Sequence, residues 1–267
     1  MKSQLYTIRT ITNMHVGSGN ANYGIIDNLI QRDVVTGYPN INSSGFKGAL
    51  REHCKNWEQK EEKIITKVFG SEPGASKMEQ GNYRFFDCHL LALPARTDKE
   101  PYVLVTCAQV LNEFLEIVKL FKDEKWKEFN KVEVKDVQTA AVDKNGDSWR
   151  NEGKLSVEDF DYDLEPLATE SVSVVSKLFD SKCKVLQVPN KDFAVLCDDF
   201  HLPVMARNCL ETGKENLWYE QLLPRESILY TIIQFPDEEK CVFGDEMLVQ
   251  IGANASIGYG FCKMKKI

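Results

Sequence analysis

The sequence has no CxxC pair and no Cys/His box, although it contains eight cysteines. Cysteines at such scattered spacing do not form a zinc site, because four ligands must converge at short, regular separations. A disulfide framework is not required either, since 267 residues with 43% hydrophobic content bury a sizeable core. We therefore expect free thiols in a reducing compartment.

Long apolar runs are missing as well. No stretch of about 18 apolar residues is present, which is roughly the length that a membrane-spanning helix requires. The N-terminal segment MKSQLYTIRT lacks the apolar region of a signal peptide. These absences predict a soluble, cytoplasmic protein that does not enter a membrane.

An excess of positive charge is also lacking, because the net charge is −7 at pH 7. A nucleic-acid-binding protein usually carries a basic surface that displaces counterions from phosphates. The acidic residues are concentrated at 152–170 and 237–246, whereas lysines and an arginine recur through residues 45–67. A local basic surface is therefore compatible with the negative total.

Signatures of nucleotide-cofactor binding are absent too. Two glycine-rich segments, HVGSGNANYG (15–24) and IGANASIGYG (251–260), match neither the dinucleotide-binding pattern nor the P-loop. Glycines do allow a backbone to approach a ligand closely, and backbone N–H groups can meet phosphate oxygens. Tight turns between strands are the alternative interpretation of both segments.

Hydrophobic patterns predict a mixture of strands and helices. Strands are expected at 5–14, 84–93, 102–106, 185–188, 193–196, 227–234 and 247–251. Helices are expected from about 45 to 60, after a serine N-cap at Ser43 and Ser44, then over 108–130 and near 171–179. Residues 143–153 are expected to form a loop or hairpin tip. Because strands and helices do not alternate regularly, the predicted fold class is α+β.

Several segments, taken in order, resemble the RAMP superfamily, the RNA-binding proteins of CRISPR systems. The resemblance rests on MHVGSG, GIIDNLIQRDVVTGYPNINSSGFKGALR, VFGSE, FFDCHLLALPAR, YVLVTCAQVLNEF, MARNCLETGKENLWYEQLLP and QIGANASIGYG. The middle and late segments are similar to the backbone subunit of the type III-B (Cmr) effector complex more than to its type III-A (Csm) counterpart. Together these segments cover nearly the whole chain.

The resemblance implies a single RAMP domain over residues 1–267, built on a ferredoxin-like (RRM-like) palm. A helical insertion would occupy about 108–185, and a protruding thumb-like β-hairpin about 204–219. The residues agree with the hairpin, since LETGKEN (210–216) has the composition of a turn between two strands. An ordinary surface hairpin is the alternative.

The resemblance also implies a function. Several copies of the chain would stack along a guide RNA (crRNA), together with other subunits of a type III CRISPR complex. Each thumb would displace one nucleotide, and the chain would act as an endoribonuclease that cuts complementary single-stranded target RNA at regular intervals. Two alternatives remain open: a scaffold that binds RNA without cutting it, and a stand-alone RAMP nuclease that processes the CRISPR precursor RNA.

Candidate RNA contacts come from the residues and from the resemblance. Lys47 and Arg51 match the guide-binding helix of the family, and their four-residue spacing, continued by Lys55, places them on one helical face. The resemblance assigns RNA binding also to Ser44, Gly17, Gly19, Arg207, Gly252 and Gly258. The C-terminal loop departs from the family, because it reads ANAS and has Tyr259 where a lysine is common. This departure favours packing of the loop beside the first glycine segment.

The candidate catalytic residue is Asp27, which matches the family's catalytic aspartate. The apolar residues around it, Ile25, Ile26, Leu29 and Ile30, are expected to anchor its loop. Cleavage by the RNA's own 2′-hydroxyl requires an in-line arrangement, which a displaced nucleotide allows.

Two roles remain open for Asp27. It would either bind a hydrated divalent cation, Mg²⁺ or alternatively Mn²⁺, or accept the hydroxyl proton. His15 and Glu220 are expected to support the site, and Asp33 is a second-rank carboxylate.

Overall fold

The structure, a computed structural model, describes residues 1–19, 24–72, 74–121, 124–180, 182–209 and 216–267. Its strands are β1 (Lys2–Thr10), β2 (Asn40–Ile41), β3 (Arg84–Phe85), β4 (Cys88–Ala95), β5 (Val103–Thr106), β6 (Ala140–Val142), β7 (Leu155–Val157), β8 (Phe160–Tyr162), β9 (Leu164–Pro166), β10 (Val185–Gln187), β11 (Val204–Cys209), β12 (Asn216–Gln221), β13 (Ile228–Phe235), β14 (Glu246–Gln250) and β15 (Phe261–Lys266). Its α-helices are α1 (Ser43–Glu52), α2 (Glu62–Phe69), α3 (Ala108–Leu120), α4 (Thr169–Leu178) and α5 (Asn190–Leu196). This mixture confirms the predicted α+β class.

The chain forms two compact units. The first consists of Met1–His89, Leu202–Arg225 and Leu229–Ile267, and the second of Leu90–His201 and Glu226–Ile228. The prediction of a single RAMP domain over residues 1–267 is not tested by this division and stays a prediction. All of the candidate site residues lie in the first unit.

The sheet of the first unit has the strand order β14–β15–β1–β13. β1 pairs with β15 in an antiparallel manner, with Ile8 opposite Met264. β14 pairs antiparallel with the other edge of β15. β15 buries Cys262 and Met264 and leaves Lys265 exposed, the alternation expected of a sheet with one face on the core.

The helices of the first unit contribute an aromatic core. α1 buries Phe46 and Leu50, which are four residues apart and therefore lie on one face. α2 buries Phe69, whose ring stacks on that of Phe85 with centroids 5.3 Å apart. Because this packing fixes one face of α1, the helix is held in one orientation on its unit.

The predicted serine N-cap of α1 is wrong. The helix begins at Ser43 itself, and the preceding Asn42 makes no capping bond through its side chain. Instead, the N–H of Ser43 donates to Oδ1 of Asp87 at 2.6 Å, so a carboxylate from another segment satisfies the helix start. The α-helix also ends earlier than predicted, at Glu52, and a π-helix continues over His53–Trp57. Lys55 therefore leaves the regular spacing that it was expected to share with Lys47 and Arg51.

The second unit is built on the strand order β5–β10–β6–β9. The end of β4 pairs antiparallel with β5, and β5 runs parallel to β10. β6 is antiparallel to β10 and parallel to β9. α3 buries Phe114, and Trp126 packs edge-on against it with ring centroids 4.8 Å apart.

The segment predicted as a helical insertion, about 108–185, is not purely helical. It contains α3 and α4 but also the short strands β6 to β9. Residues 143–153, predicted as a loop or hairpin tip, form a 3₁₀ helix over Lys144–Asn151. The strand predicted at 193–196 is wrong, because FAVL belongs to α5. A short apolar run shows no period by itself, whereas Pro189 before the helix and Asp192 in its first turn favour a helix start.

A two-stranded hairpin lies where the thumb was predicted. β11 and β12 pair antiparallel, with Val204 opposite Gln221 and Cys209 opposite Asn216. The predicted turn LETGKEN lies outside the described residues except for Asn216. Among the helices in the described ranges, none has the length and apolar character needed to cross a membrane.

Candidate functional site

The loop that carries Asp27 lies beside the hairpin as a short additional strand. Asn28 forms a parallel bridge with Glu220 on β12. The N–H of Asn28 donates to the carbonyl of Tyr219 at 3.0 Å, and the N–H of Gln221 donates to the carbonyl of Asn28 at 2.9 Å. Backbone hydrogen bonds therefore fix the position of Asp27 relative to β12.

The Asp27 side chain is exposed and makes one hydrogen bond within the described part of the chain. The N–H of Tyr219 donates to its Oδ2 at 2.8 Å. The expected apolar anchors of the loop are only partly right, since Ile26 and Ile30 are buried while Ile25 is 82% exposed. Two inward-facing isoleucines and the backbone bridge thus hold the loop, and the carboxylate stays accessible to solvent.

His15 connects the first glycine segment to the hairpin. Its Nδ1 lies 2.7 Å from the carbonyl oxygen of Gln221, and because a carbonyl only accepts, Nδ1 carries the proton. The carbonyl of His15 accepts the N–H of Ala253 at 2.9 Å. Gly252 has φ +89°, and a Cβ there would collide with that carbonyl, so the close approach of the two segments requires glycine.

The two glycine-rich segments, 15–24 and 251–260, are therefore in contact through His15, Gly252 and Ala253. This packing was expected from the ANAS sequence of the C-terminal loop. Gly17 forms an antiparallel bridge with Ile30 and accepts a hydrogen bond from Nε2 of Gln31 at 3.2 Å. Gly19 and Gly258 both have positive φ and open space around the Cα atom. Contacts of these glycines with RNA stay predictions.

Glu220 is 7% exposed and is surrounded by donors. Its Oε2 accepts from Nε of Arg207 at 2.6 Å and from Nδ2 of Asn254 at 3.0 Å, and its Oε1 accepts from Nε1 of Trp218 at 3.0 Å. Burial by itself raises the pKa of Glu220, but the hydrogen bonds from Trp218 and Arg207 and the charge of Arg207 outweigh it and lower the pKa. Glu220 is therefore an ionised carboxylate, and both of its oxygens already accept hydrogen bonds from side chains.

Arg207 was predicted to contact RNA, and its guanidinium already has two protein partners. Besides the pair with Glu220, it stacks on the ring of Tyr259, 5.1 Å from the centroid. Its Nη2 is buried and finds no acceptor within the described part of the chain. The stack occupies the face of Arg207 and joins the hairpin to the C-terminal loop.

The basic residues of α1 and of the segment that follows it differ in their pairing. Lys55, Lys60 and Lys67 each form an ion pair, with Glu72, Glu58 and Glu239 respectively. Lys47 and Arg51 have no carboxylate partner among the residues that the structure describes, and Ser44 is exposed in the first turn. Two cationic side chains on α1 thus remain without an ion pair, although Nη2 of Arg51 is buried and the charge of Arg51 contributes to lowering the pKa of Glu72.

The start of α1 is tied to the first glycine segment through Gln31. Its Oε1 accepts the N–H of Asn42 at 2.8 Å, while its Nε2 donates to the carbonyl of Gly17.

Asp33, the second-rank carboxylate, closes a tight turn by accepting the N–H groups of Val35 and Thr36 at 2.9 and 2.8 Å. These bonds lower the pKa of Asp33 despite partial burial, which alone would raise it. Asp33 therefore has a structural role.

A ready-made metal site is not found in the described residues, which contain no group of three or more His, Cys, Asp or Glu side chains placed to hold an ion. Magnesium, however, keeps several waters and often takes a single carboxylate together with substrate phosphates. Asp27, exposed and with one hydrogen bond, fits such a single contact. Glu220 does not, because its oxygens are already hydrogen-bonded to three donors.

Sequence reasoning did not predict the roles that four groups have in this arrangement. They are the backbone N–H of Tyr219, the side chains of Trp218 and Asn254, and the ring of Tyr259 under Arg207. Residue type does not indicate whether a backbone N–H will donate to a side chain. The order W-Y-E on one strand did place an indole two residues from Glu220, a spacing that puts both on the same face.

Comparisons with known proteins find similar chains. The family model described as the RAMP superfamily matches residues 7–263. The Cmr endoribonuclease Cmr4 of the CRISPR system from Pyrococcus furiosus is 26% identical over 291 residues, covering 99% of this chain and 95% of the relative. A crystal structure of oligomeric Cmr4 from the same organism has a TM-score of 0.76 and 25% identity, covering 100% of this chain and 98% of that one.

A second solved structure shows the same fold at lower identity. The apo state of a type III-B Cmr-beta complex, determined by cryo-EM, contains a chain with a TM-score of 0.80 and 20% identity. The superposition covers 100% of this chain and 97% of that chain. The similarity to these proteins extends over the whole length.

Proposed function

The chain belongs to the RAMP superfamily, and we propose that it is a repeating backbone subunit of a type III-B (Cmr) CRISPR effector complex that cleaves target RNA. The relative from Pyrococcus furiosus is named an endoribonuclease, and its crystals contain an oligomer. Further copies of this chain, a guide RNA, a target RNA and other complex subunits are the partners, in the cytoplasm. The observation that carries the proposal is an exposed carboxylate, Asp27, held against the strand of the predicted thumb.

The guide RNA binds along α1 in this proposal. Lys47 and Arg51 are the two basic side chains of that helix without a carboxylate partner among the described residues. Cations one helical turn apart contact successive phosphates without reading bases, so the bases stay free to pair with the target. Gln31 links the start of α1 to the glycine segment beside Asp27, which brings guide binding and cleavage into one rigid neighbourhood.

Target cleavage follows from the position of Asp27. The 2′-hydroxyl of RNA attacks its own phosphorus when the hydroxyl oxygen, the phosphorus and the leaving 5′-oxygen are in line, and a nucleotide displaced by the hairpin permits this geometry. Asp27 accepts the hydroxyl proton through the carboxylate oxygen that the N–H of Tyr219 does not occupy. Because the N–H fixes the other oxygen, the carboxylate is oriented before substrate binds.

In this proposal a divalent cation assists the cleavage of RNA. Mg²⁺, or Mn²⁺ in its place, would contact Asp27 and RNA phosphates and would supply positive charge to the phosphate during cleavage. Removal of divalent ions by EDTA should then slow cleavage, and readdition of Mg²⁺ should restore it. Cleavage that is unaffected by EDTA would assign the chemistry to the protein side chains alone.

The test of the proposed function is cleavage by a complex reconstituted from this chain, its partner subunits and a guide RNA. A complementary target labelled at one end should give products at a regular spacing, because each copy of the chain contributes one site. A target without complementarity is the control and should stay intact. Binding without cleavage would assign the chain to a scaffold role, and cutting of precursor RNA by the chain alone would assign it to guide processing.

A further inference from the structure

The hairpin has two faces of different character. Residues directly opposite each other share a face, so Arg207 and Trp218 lie on one face with Glu220, while Ala206 lies with Tyr219 on the other. The first face is occupied by the network around Glu220 and by the stack of Arg207 on Tyr259. On the second face, Gln221 is buried, and we call the remaining five residues, Val204, Ala206, Asn208, Leu217 and Tyr219, the open face.

The open face is exposed and largely apolar. Val204, Leu217 and Tyr219 are 41%, 57% and 36% exposed, and Ala206 and Asn208 are exposed as well. The Tyr219 ring makes no ring contact and its hydroxyl no hydrogen bond with any residue in the described ranges. The exposed part of Tyr219, 36% of the residue, is therefore free to contact a ligand.

Tyr219 also lies next to the candidate catalytic carboxylate. Its own N–H donates to Oδ2 of Asp27 at 2.8 Å. The ring and the carboxylate are therefore fixed to the same residue of β12. Any group that contacts the open face at Tyr219 lies within reach of Asp27.

The charge of the open face suits an anionic strand. None of its five residues carries a charge, and the carboxylate of the hairpin, Glu220, is turned to the other face. A chain with a net charge of −7 thus presents here a surface that does not repel phosphate. A flat aromatic ring flanked by apolar side chains is the surface on which an unstacked nucleobase stacks.

From these observations we propose that Tyr219 is the base-stacking residue of the site, and that it holds a nucleobase of the target RNA that has been turned out of its strand beside Asp27. Trp218, the other aromatic residue of the pair, has the separate role of orienting Glu220 through its indole N–H. The inference rests on the proposed function, since the base must belong to a bound RNA. It deepens that function by naming the residue that positions the reacting nucleotide.

Fluorescence of 2-aminopurine tests the inference without requiring cleavage. Complexes are assembled with chains carrying Asp27→Asn, which keeps an acceptor for the N–H of Tyr219 and is expected to slow cutting strongly, and with targets that have 2-aminopurine at each successive position in turn. A base that stacks on an aromatic ring is quenched, and one displaced into solvent is bright. At the displaced position we expect weak fluorescence with Tyr219, strong fluorescence with Tyr219→Leu, and weak fluorescence again with Tyr219→Phe.

Two features of the design separate stacking from other effects. Every Tyr219 variant keeps the backbone N–H at position 219. The hydrogen bond from this N–H to the side chain of residue 27 is therefore not removed. Leu217→Ala, two residues away on the same face, removes apolar surface without removing a ring and should leave the fluorescence unchanged. With Asp27 restored, Tyr219→Leu should slow target cleavage by about tenfold, within the range of base-stacking contributions.

Other outcomes would overturn the proposal. Equal fluorescence with Tyr219 and Tyr219→Leu would exclude the ring from base contact. Loss of assembly with guide RNA in Tyr219→Leu, with an unchanged melting temperature of the free chain, would assign the open face to a neighbouring protein subunit. Failure of the wild-type complex to cut RNA would contradict the proposed function, but the fluorescence result would still decide whether a base stacks on Tyr219.

Discussion

Asp27, in the loop beside β12, and Glu220, on β12 itself, are neighbouring carboxylates that differ in exposure and in hydrogen bonding. Asp27 is exposed and has one hydrogen bond, from a backbone N–H. Glu220 is buried and has three, from the side chains of Arg207, Trp218 and Asn254. A carboxylate with free oxygen lone pairs can act on a ligand, whereas one whose oxygens are occupied holds its surroundings in place.

The comparison predicts opposite consequences for the two side chains. Removing Asp27 leaves no buried group without a partner, so the fold should lose little stability. Removing Glu220 leaves the guanidinium of Arg207 and the indole N–H of Trp218 without their acceptor. Activity should therefore depend on Asp27 directly, and on Glu220 through the position of the hairpin.

The largest effect is expected for Asp27→Asn in the assembled complex. The amide oxygen still accepts the N–H of Tyr219, so the geometry is retained while the proton acceptor is lost. Target cleavage should fall by roughly 10²- to 10⁴-fold, the contribution typical of a general base. Target binding, measured on the same preparations, should not change. Equal cleavage rates would exclude Asp27 from the chemistry, and a parallel loss of binding would mean that the residue is structural.

The second effect is a loss of stability in Glu220→Ala. The free energy of unfolding should decrease by about 2 kcal/mol, because the mostly buried guanidinium of Arg207 and the N–H of Trp218 lose their acceptor. Chemical denaturation of the free chain measures this. In a double-mutant cycle, adding Arg207→Met should restore part of the loss, since the unpaired guanidinium is then absent. Additive losses would show that the pair does not couple and that the two carboxylates are less different than their contacts indicate.

Much of the fold could be predicted from the sequence, because the family motifs occur in order along the chain even where the local hydrophobic pattern is weak. The α+β class, the hairpin and the helix with Lys47 and Arg51 were predicted at about the right positions. β15 was not predicted, although Cys262 and Met264 alternate with lysines, because three lysines in six residues give a weak strand pattern. FAVL was assigned to a strand because four apolar residues carry no period.

The network around Glu220 was not accessible from the sequence for a different reason. Asn254 meets Glu220 only through tertiary folding of the C-terminal loop onto the hairpin, whereas Arg207 meets it through the pairing of β11 with β12. Asp87 likewise caps α1 from a distance of 44 residues along the chain. No local propensity encodes such contacts, and the resemblance alone suggested an RNA contact for Arg207.

The third prediction concerns guide binding and compares the two cations of α1 with Lys55 in the π-helix that follows. Replacing both Lys47 and Arg51 by alanine should reduce the slope of log affinity against log salt concentration by about 1.4, the value for two phosphate contacts with a single strand. Binding of guide RNA over a salt series measures the slope. Lys55→Ala is the matched control, because Lys55 already pairs with Glu72 at 2.8 Å and should leave the slope nearly unchanged. Equal slopes for the double variant and the wild type would remove α1 from the guide path.

The smallest effect should appear as a pH dependence of stability that belongs to Glu220. Its pKa in the folded chain is lowered from the ordinary 4.5 by the hydrogen bonds from Trp218 and Arg207, against the opposing effect of burial. A carboxyl group with a lowered pKa stabilises the fold fully above the unfolded value, and that stabilisation is lost as the pH falls through the folded value. The difference in unfolding free energy between wild type and Glu220→Gln should therefore be constant near neutral pH and shrink below about pH 4.5. Other carboxyl groups, including Asp33, are present in both chains, so their contributions cancel in the difference. A difference that stays constant down to the acid transition would show that Glu220 is not held ionised by its neighbours, and the contrast with Asp27 would then rest on burial alone.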